Sequence, residues 1–236
     1  MHPKDPKATA QQTTVRRHNR TMGITIPVAH DFICPWCWVG LLQAKRLEQE
    51  FGVTIEWLGY ELFPIELEWP EHKPGAAPPA NRPPTLTRFE FLLAADDLEM
   101  PTAPRPSGMR TSNAHEAVEF AKAEGVAGEL VEALYRAYWE RGEEINDIDV
   151  LRRIATGIVS DVDALVHAVQ AQEFKDRIVG FDDEAYSKGV YNVPTFFVAG
   201  ERLAEQPYSV LRKAVRRAVA EDAIAKMQGA GAPAVA

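Results

Sequence analysis

Only two cysteines, Cys34 and Cys37, occur in the 236 residues of this chain. A tetrahedral metal site wants four ligands, so an all-cysteine zinc site is excluded, and so close a pair shuts a loop too short to act as a stabilising staple. Long apolar runs are also missing. None approaches the roughly 20 residues that a helix needs to cross a bilayer, because charge or proline interrupts the longest candidates. A membrane is therefore not an expected partner. Basic residues are outnumbered, 26 Lys and Arg against 34 Asp and Glu, for a formal net charge of -8. With no basic cluster to displace counterions from phosphates, nucleic acid is not an expected partner either. The opening stretch MHPKDPKATAQQTTVRRHNRTMG lacks the apolar segment of about 7 to 15 residues that a secretory signal requires. The expected location is the cytoplasm. No internal repeat is visible.

What is present describes a globular protein: 46% of the residues are hydrophobic, enough for a sizeable core. Residues 1–22 have the composition of a disordered tail, within which Met22 rivals Met1 as the start of translation. ITIPVAHDF reads as a buried strand that Pro27 pushes toward an early or edge position. From Pro35 the period becomes helical, with Trp38, Leu41, Leu42 and Leu47 on one face, Lys45, Arg46, Glu48 and Glu50 on the other, and Gly52 as the stop. VTIEWLGYELF alternates and is a second strand, closing a βαβ unit. Residues 64–84, with seven of the 17 prolines, form an expected surface loop. Helical periods then dominate residues 85–189: TRFEFLLAA, a helix capped by Asn113 and Glu116, the stripe Leu130, Val131, Leu134, Tyr135 and Tyr138, two further stripes from Val150 and Val162, and a last helix from about Gln172 to Lys188. VPTFFVAG and ERLA read as a hairpin, and Gln206–Pro207 open a final helix. The thioredoxin-like part is expected at residues 23–63 and 190–222, with residues 223–236 as a frayed tail.

The chemistry is concentrated in DFICPWCWVG. At the junction of strand and helix, Cys34 lies near unpaired N–H groups and the positive end of the helix dipole, where a thiolate is favoured. Cys37, one turn later, falls on the same face and deeper, where it stays protonated until used. An exposed Cys34 then forms a mixed disulfide and Cys37 resolves it. Pro35 presets the first helical turn, and Trp36 brings no charge to the sulfur. The competing readings are half of a zinc site and an inert buried pair. Of the histidines, His2 and His18 lie in the tail, His72 in the proline-rich loop, and His115 and His167 on helices in solvated or core-satisfied roles. His30 is read first as structural at a strand end and second as a proton carrier, and Asp31 first as a satisfied turn residue and second as a proton acceptor for Cys37. No metal or cofactor is called for.

Strand, CPWC, helix and strand, followed much later by Val193–Pro194–Thr195 entering another strand, resembles the thioredoxin fold: α/β, with an inserted all-helical domain. More narrowly it resembles the DsbA-like disulfide oxidoreductases. DFICPWCWVG, YWERGEEINDIDVL and YNVPTFFVAGERLAEQP are similar to the cytoplasmic FrnE-like branch, over about Ile24 to Ala220. The resemblance implies that Cys34 is the nucleophile, Cys37 the resolving cysteine and Pro194 a cis-proline whose loop faces the cysteines. Pro35, Trp36, Val193 and Pro194 then contact the substrate, a disulfide-bearing protein or peptide, with glutathione as a further partner. The ending ERLAEQP departs from the small-residue turn common in that branch and leaves substrate choice open. The kappa-type glutathione transferases and 2-hydroxychromene-2-carboxylate isomerases share this fold but commonly carry serine at the place of Cys34. Glutathione-dependent transfer or isomerisation is thus the alternative activity, and a nonenzymatic binding module the third. Nothing in the sequence sets an oligomeric state.

Overall fold

The computed structural model describes residues 23–69 and 86–229. Strand β1 (Thr25–His30), helix α1 (Pro35–Phe51) and strand β2 (Thr54–Glu61) form the expected βαβ unit. Gly52 ends α1 in the left-handed region, φ 66°, where a residue without Cβ is unstrained. After β2 come α2 (Arg88–Asp96), α3 (Ser112–Lys122), α4 (Ala127–Arg141), α5 (Ile148–Ala155) and α6 (Val162–Gln170). A 3-10 turn at Lys175–Arg177, strand β3 (Val179–Gly180) and α7 (Asp183–Ser187) lead into the hairpin β4 (Thr195–Val198) and β5 (Glu201–Ala204), and α8 (Tyr208–Gly229) follows. The sheet order is β3-β2-β1-β4-β5. β2 runs parallel to both β1 and β3, while β4 is antiparallel to β1 and to β5.

Several expectations are corrected. β1 is the central strand, not an edge. Its Pro27 is tolerated on one side because β4 pairs only with Val28 and Ala29, so the missing N–H deprives no neighbour there. The helix expected from Gln172 to Lys188 is broken: Gln172 sits at φ 54°, and Val179 and Gly180 pair with Tyr60 and Glu61 of β2. The inserted block is therefore not all-helical, since it returns one strand to the sheet. Asn113 and Glu116 make no capping box. Asn113 instead donates to Asn146 twice, from its backbone N–H to Oδ1 and from its side-chain amide to the carbonyl, and the Glu116 carboxylate accepts from the Phe174 N–H at 3.1 Å. The capping box belongs to Thr87 and Glu90 at the start of α2. α8 continues to Gly229, so residues 223–229 extend a helix and are not a frayed tail. The tail through Met22, most of the proline-rich loop and His72 lie outside the described residues.

One buried core runs through sheet and helices alike, from Ile26, Val28 and Phe32 through Leu41 and Leu47 to Leu130, Leu134, Tyr135 and Leu151. α1 packs on α8 and α4, and α4 also contacts β2. The closest approach that matters for the site is between α1 and the turn before β4. A Cβ added at Gly40 would lie 2.9 Å from Pro194 Cγ and 3.0 Å from its Cβ. Overpacking at such a point costs about 1–3 kcal/mol. Gly40→Ala is expected to lower the urea midpoint by that free energy, and an unchanged midpoint would show that α1 and Pro194 do not need their present separation.

Candidate active site

Cys34 is the N-cap of α1, with extended backbone (φ -75°, ψ 121°) and Pro35 behind it in the first turn. Its carbonyl accepts from the N–H groups of Cys37 at 3.0 Å and Trp38 at 3.2 Å, which starts the helix. The two cysteines are unbonded. The Cys34 thiol donates to the carbonyl oxygen of Val193 at 3.4 Å, bringing together residues 159 positions apart. Val193–Pro194 is a cis peptide bond, as the resemblance implied. Cys37 is fully buried and Cys34 is 7% exposed, so the expected exposed nucleophile is in fact largely covered, by the turn that carries Val193. Its side chain stands at the start of the helix, as expected, and makes no capping hydrogen bond there. Pro35 is exposed, and half-buried Trp36 packs against Phe89 of α2 with ring centroids 4.9 Å apart.

Beneath the pair lies a buried polar floor. Burial pushes the Cys37 thiol well above its ordinary range, and the neighbouring Cys34 sulfur adds to the rise. Asp31 is a satisfied turn residue: one carboxylate oxygen accepts from the Leu62 N–H at 2.7 Å, and the other from the Ile33 N–H at 3.4 Å. The Tyr135 hydroxyl, reaching in from α4, donates to the Asp31 carbonyl at 3.1 Å and meets His30 Nδ1 at 2.9 Å. A hydroxyl has one proton, so with it on Asp31 the Nδ1 of His30 donates and its Nε2 carries the lone pair. Burial holds His30 well below its ordinary pKa, and electrostatic repulsion from the His115 and Lys122 side chains works in the same direction. Burial, then the charges of the two cysteines and Asp31, raises Tyr135. The indole of Trp139 donates to the Phe32 carbonyl at 2.8 Å.

His115 was expected on a solvated or core-satisfied helix face. It is instead 1% exposed, its Nε2 is 3.6 Å from an Asp31 carboxylate oxygen, and neither ring nitrogen has a hydrogen-bond partner among the described residues. Gly59 makes room for it: a Cβ there would lie 2.9 Å from Nδ1. Beyond it, Glu61 accepts from the N–H groups of Thr111 and Ser112 at 2.9 and 3.0 Å while burial raises its pKa. His167 is exposed on α6 and takes no part. Among the described residues no three His, Cys, Asp or Glu side chains are grouped to hold a metal ion, and no helix is long and apolar enough to cross a membrane. Tyr135, His115 and Trp139 were not foreseen at the site. Each reads as one more apolar or helical position in its own stretch, and only the docking of α3 and α4 against β1 and β2 gives it a role.

Two cysteines one turn apart thus face a cis-proline loop, and residues 25–216 match the model of the DSBA-like thioredoxin domain. The chain belongs to that family. In detail it is 26% identical over 179 residues to 2-hydroxychromene-2-carboxylate isomerase of Sphingobium xenophagum, covering 74% of this chain and 88% of the relative. Among solved structures it resembles a probable DsbA oxidoreductase from Streptomyces coelicolor (TM-score 0.59, 23% identity, 83% of this chain and 89% of the other). It also resembles the cytosolic disulfide reductase DsbM from Pseudomonas aeruginosa (TM-score 0.56, 16% identity, 82% and 100%), which has been solved with GSH as well.

The neutral state of His30 has a consequence for stability. The unfolded chain binds a proton at this position below about pH 6.5, while the folded chain, with its pKa lowered, does not. Stability is therefore full above that pH and falls as the medium becomes more acid, by at most about 1.4 kcal/mol per pH unit. Urea unfolding between pH 7.5 and 5 is expected to lose part of this slope in His30→Gln, and identical slopes in the two proteins would contradict a neutral buried imidazole.

Proposed function

We propose that this protein is a cytoplasmic thiol-disulfide oxidoreductase of the FrnE-like branch, acting as a reductase or isomerase through Cys34 and Cys37. The observation that carries the reading is the 3.4 Å contact of the Cys34 sulfur with the Val193 carbonyl, with Cys37 one turn behind it. The thiolate of Cys34 attacks a substrate disulfide. One S–S bond forms between Cys34 and the nearer substrate sulfur, while the substrate S–S bond breaks and its other sulfur leaves as a thiolate that takes a proton from water. Cys37 then gives up its proton and attacks Cys34. The internal disulfide forms, the second substrate sulfur leaves, and two electrons have passed from the dithiol to the substrate.

The Val193 backbone is suited to the first step, because its N–H and C=O can pair with an extended peptide beside the reacting sulfur, as in strand addition at a sheet edge. On the α1 side, exposed Pro35 and half-buried Trp36 follow the reacting sulfur and contact the same substrate. The raised pKa of Cys37 suits a resolving thiol that stays protonated until the mixed disulfide exists. A cytosol that keeps thiols reduced favours turnover in the reducing direction, with a small thiol or a dithiol protein returning the pair to its reduced form.

A second reading has a specific observation behind it, the 26% identical isomerase. Glutathione-dependent isomerisation would use Cys34 without the second sulfur. The two readings part on Cys37. In insulin reduction, Cys34→Ser is expected to lose about 10³-fold or more in kcat/KM. Cys37→Ala is expected to accumulate a covalent adduct of Cys34 with a disulfide peptide, visible by mass spectrometry under nonreducing conditions. Absence of that adduct, together with glutathione-dependent turnover of 2-hydroxychromene-2-carboxylate by the same variant, would replace the first reading with the second.

A further inference from the structure

The turn that faces Cys34 also forms one wall of a second feature. Immediately beside Val193–Pro194, a cleft of about 270 Å³ is lined by Asn192 and Thr195, by Tyr191, by Arg202 of β5 and by Arg88 of α2. Asn192 and Thr195 each adjoin the cis pair in sequence, so the cleft begins about one residue length, ~3.5 Å, from the backbone that meets the sulfur. On its other side Arg88 lies 5.6 Å from the ring centroid of Trp36, inside the CPWC motif. The cleft is thus flanked by the cis-proline turn on one side and by the neighbourhood of Trp36 on the other.

Its charge runs against that of the molecule. The chain carries a formal -8, yet the cleft presents two guanidinium groups and no carboxylate among the described residues that line it. Arg202 is held in place from two sides, donating to the Gly189 carbonyl and lying over the Tyr191 ring at 4.6 Å. That hydrogen bond engages one of five donors. Arg88 pairs with Glu205 at 3.1 Å and remains 66% exposed. Counting Glu205, the local balance is still one positive charge. A larger cationic cleft, lined by Arg46, Arg212, Lys213 and Arg216 together with Glu50 and Asp96, is also positive on balance but lies elsewhere in the molecule. Glu50 pairs with Arg212 and Arg216 there, and Glu50 stands near the C-terminal end of α1, about 24 Å along the helix from Cys34.

We propose that the cleft beside Val193–Pro194 is a carboxylate subsite, in which Arg88 and Arg202 hold an anionic group borne by the substrate one or two residues from the cysteine that joins Cys34. The inference rests on the dithiol reading of Cys34 and adds a substrate class to it: disulfides whose cysteine is flanked by a carboxylate. An extended chain advances about 3.3–3.6 Å per residue, so an acidic group one or two residues from the reacting cysteine spans the distance from the sulfur into the cleft. Planar guanidinium groups suit a carboxylate because they offer paired parallel donors. Both an acidic peptide and the glutathione disulfide carry this chemistry.

The test is a ratio measured on the full-length reduced protein. Rates of disulfide reduction are compared for oxidised glutathione against its fully esterified form, and for a cystine-bridged peptide with Glu beside each cysteine against the same peptide with Gln. The acid form is expected to be favoured by about three- to tenfold in kcat/KM, mostly through KM, and the preference to shrink as salt rises from 50 to 500 mM, as expected of exposed ion pairs. Arg88→Gln and Arg202→Gln are each expected to lower that ratio, and the double variant to bring it to about one. A variant that folds poorly lowers both rates and leaves the ratio intact. A response in the glutathione arm alone names a small thiol as the substrate source, and one in the peptide arm alone names an acidic polypeptide. Equal rates on acid and neutral forms, or a ratio unmoved in the double variant, would overturn the subsite while leaving the dithiol chemistry standing. Failure to reduce any of the four substrates would remove both.

Discussion

The site depends on one close approach, that of the first turns of α1 to the turn before β4. Gly40 lets the helix come against the Pro194 ring, and at that separation the carbonyl of Val193 reaches the sulfur of Cys34 at 3.4 Å. The contact joins residues 159 positions apart and so closes a loop of most of the folded chain. It also gives the Cys34 thiol an acceptor in the ground state and covers most of its surface. The sulfur is sheltered beneath the cis-proline turn.

The helical block contributes more than bulk. Tyr135 of α4 ties the Asp31 carbonyl to His30, Trp139 binds the Phe32 carbonyl, and His115 of α3 stands beside the Asp31 carboxylate. These contacts brace the strand-to-helix junction from which Cys34 projects. They do so with groups that burial keeps neutral, His30 and Tyr135 among them. In a medium of low effective dielectric, an added charge close to the buried sulfur would act strongly on it. Asp31 supplies one such charge, and its repulsion adds to the rise that burial imposes on the Cys37 thiol. Arg88 and Arg202, by contrast, are exposed.

The local elements were largely legible. Pro35 at the start of α1, Gly52 at its end, the alternation of β2, the stripe of α4 and the hairpin of β4 and β5 each follow from a few neighbouring residues. Errors came where distant pairing overrode local pattern. The stretch from Gln172 to Lys188 has helical composition, but Val179 and Gly180 gain more by completing the sheet edge at β2. Asn113 and Glu116 have the spacing of a cap and are used instead to bind Asn146 and Phe174 across the helical block. Pro27 reads as an edge signal, yet it is compatible with a central strand where the neighbour is short.

The sequence by itself determined the chemistry available. Two thiols at CxxC spacing, on a helix that follows a strand, place the sulfurs one turn apart on one face because an α-helix repeats every 3.6 residues. Tertiary structure alone decided how covered each sulfur is, which carbonyl Cys34 meets, and that Tyr135 and His115 belong to the floor beneath it. Those facts join residues separated by scores of positions, and the orientation of helices packed on a sheet is set by the fit of many side chains at once, which no short stretch encodes.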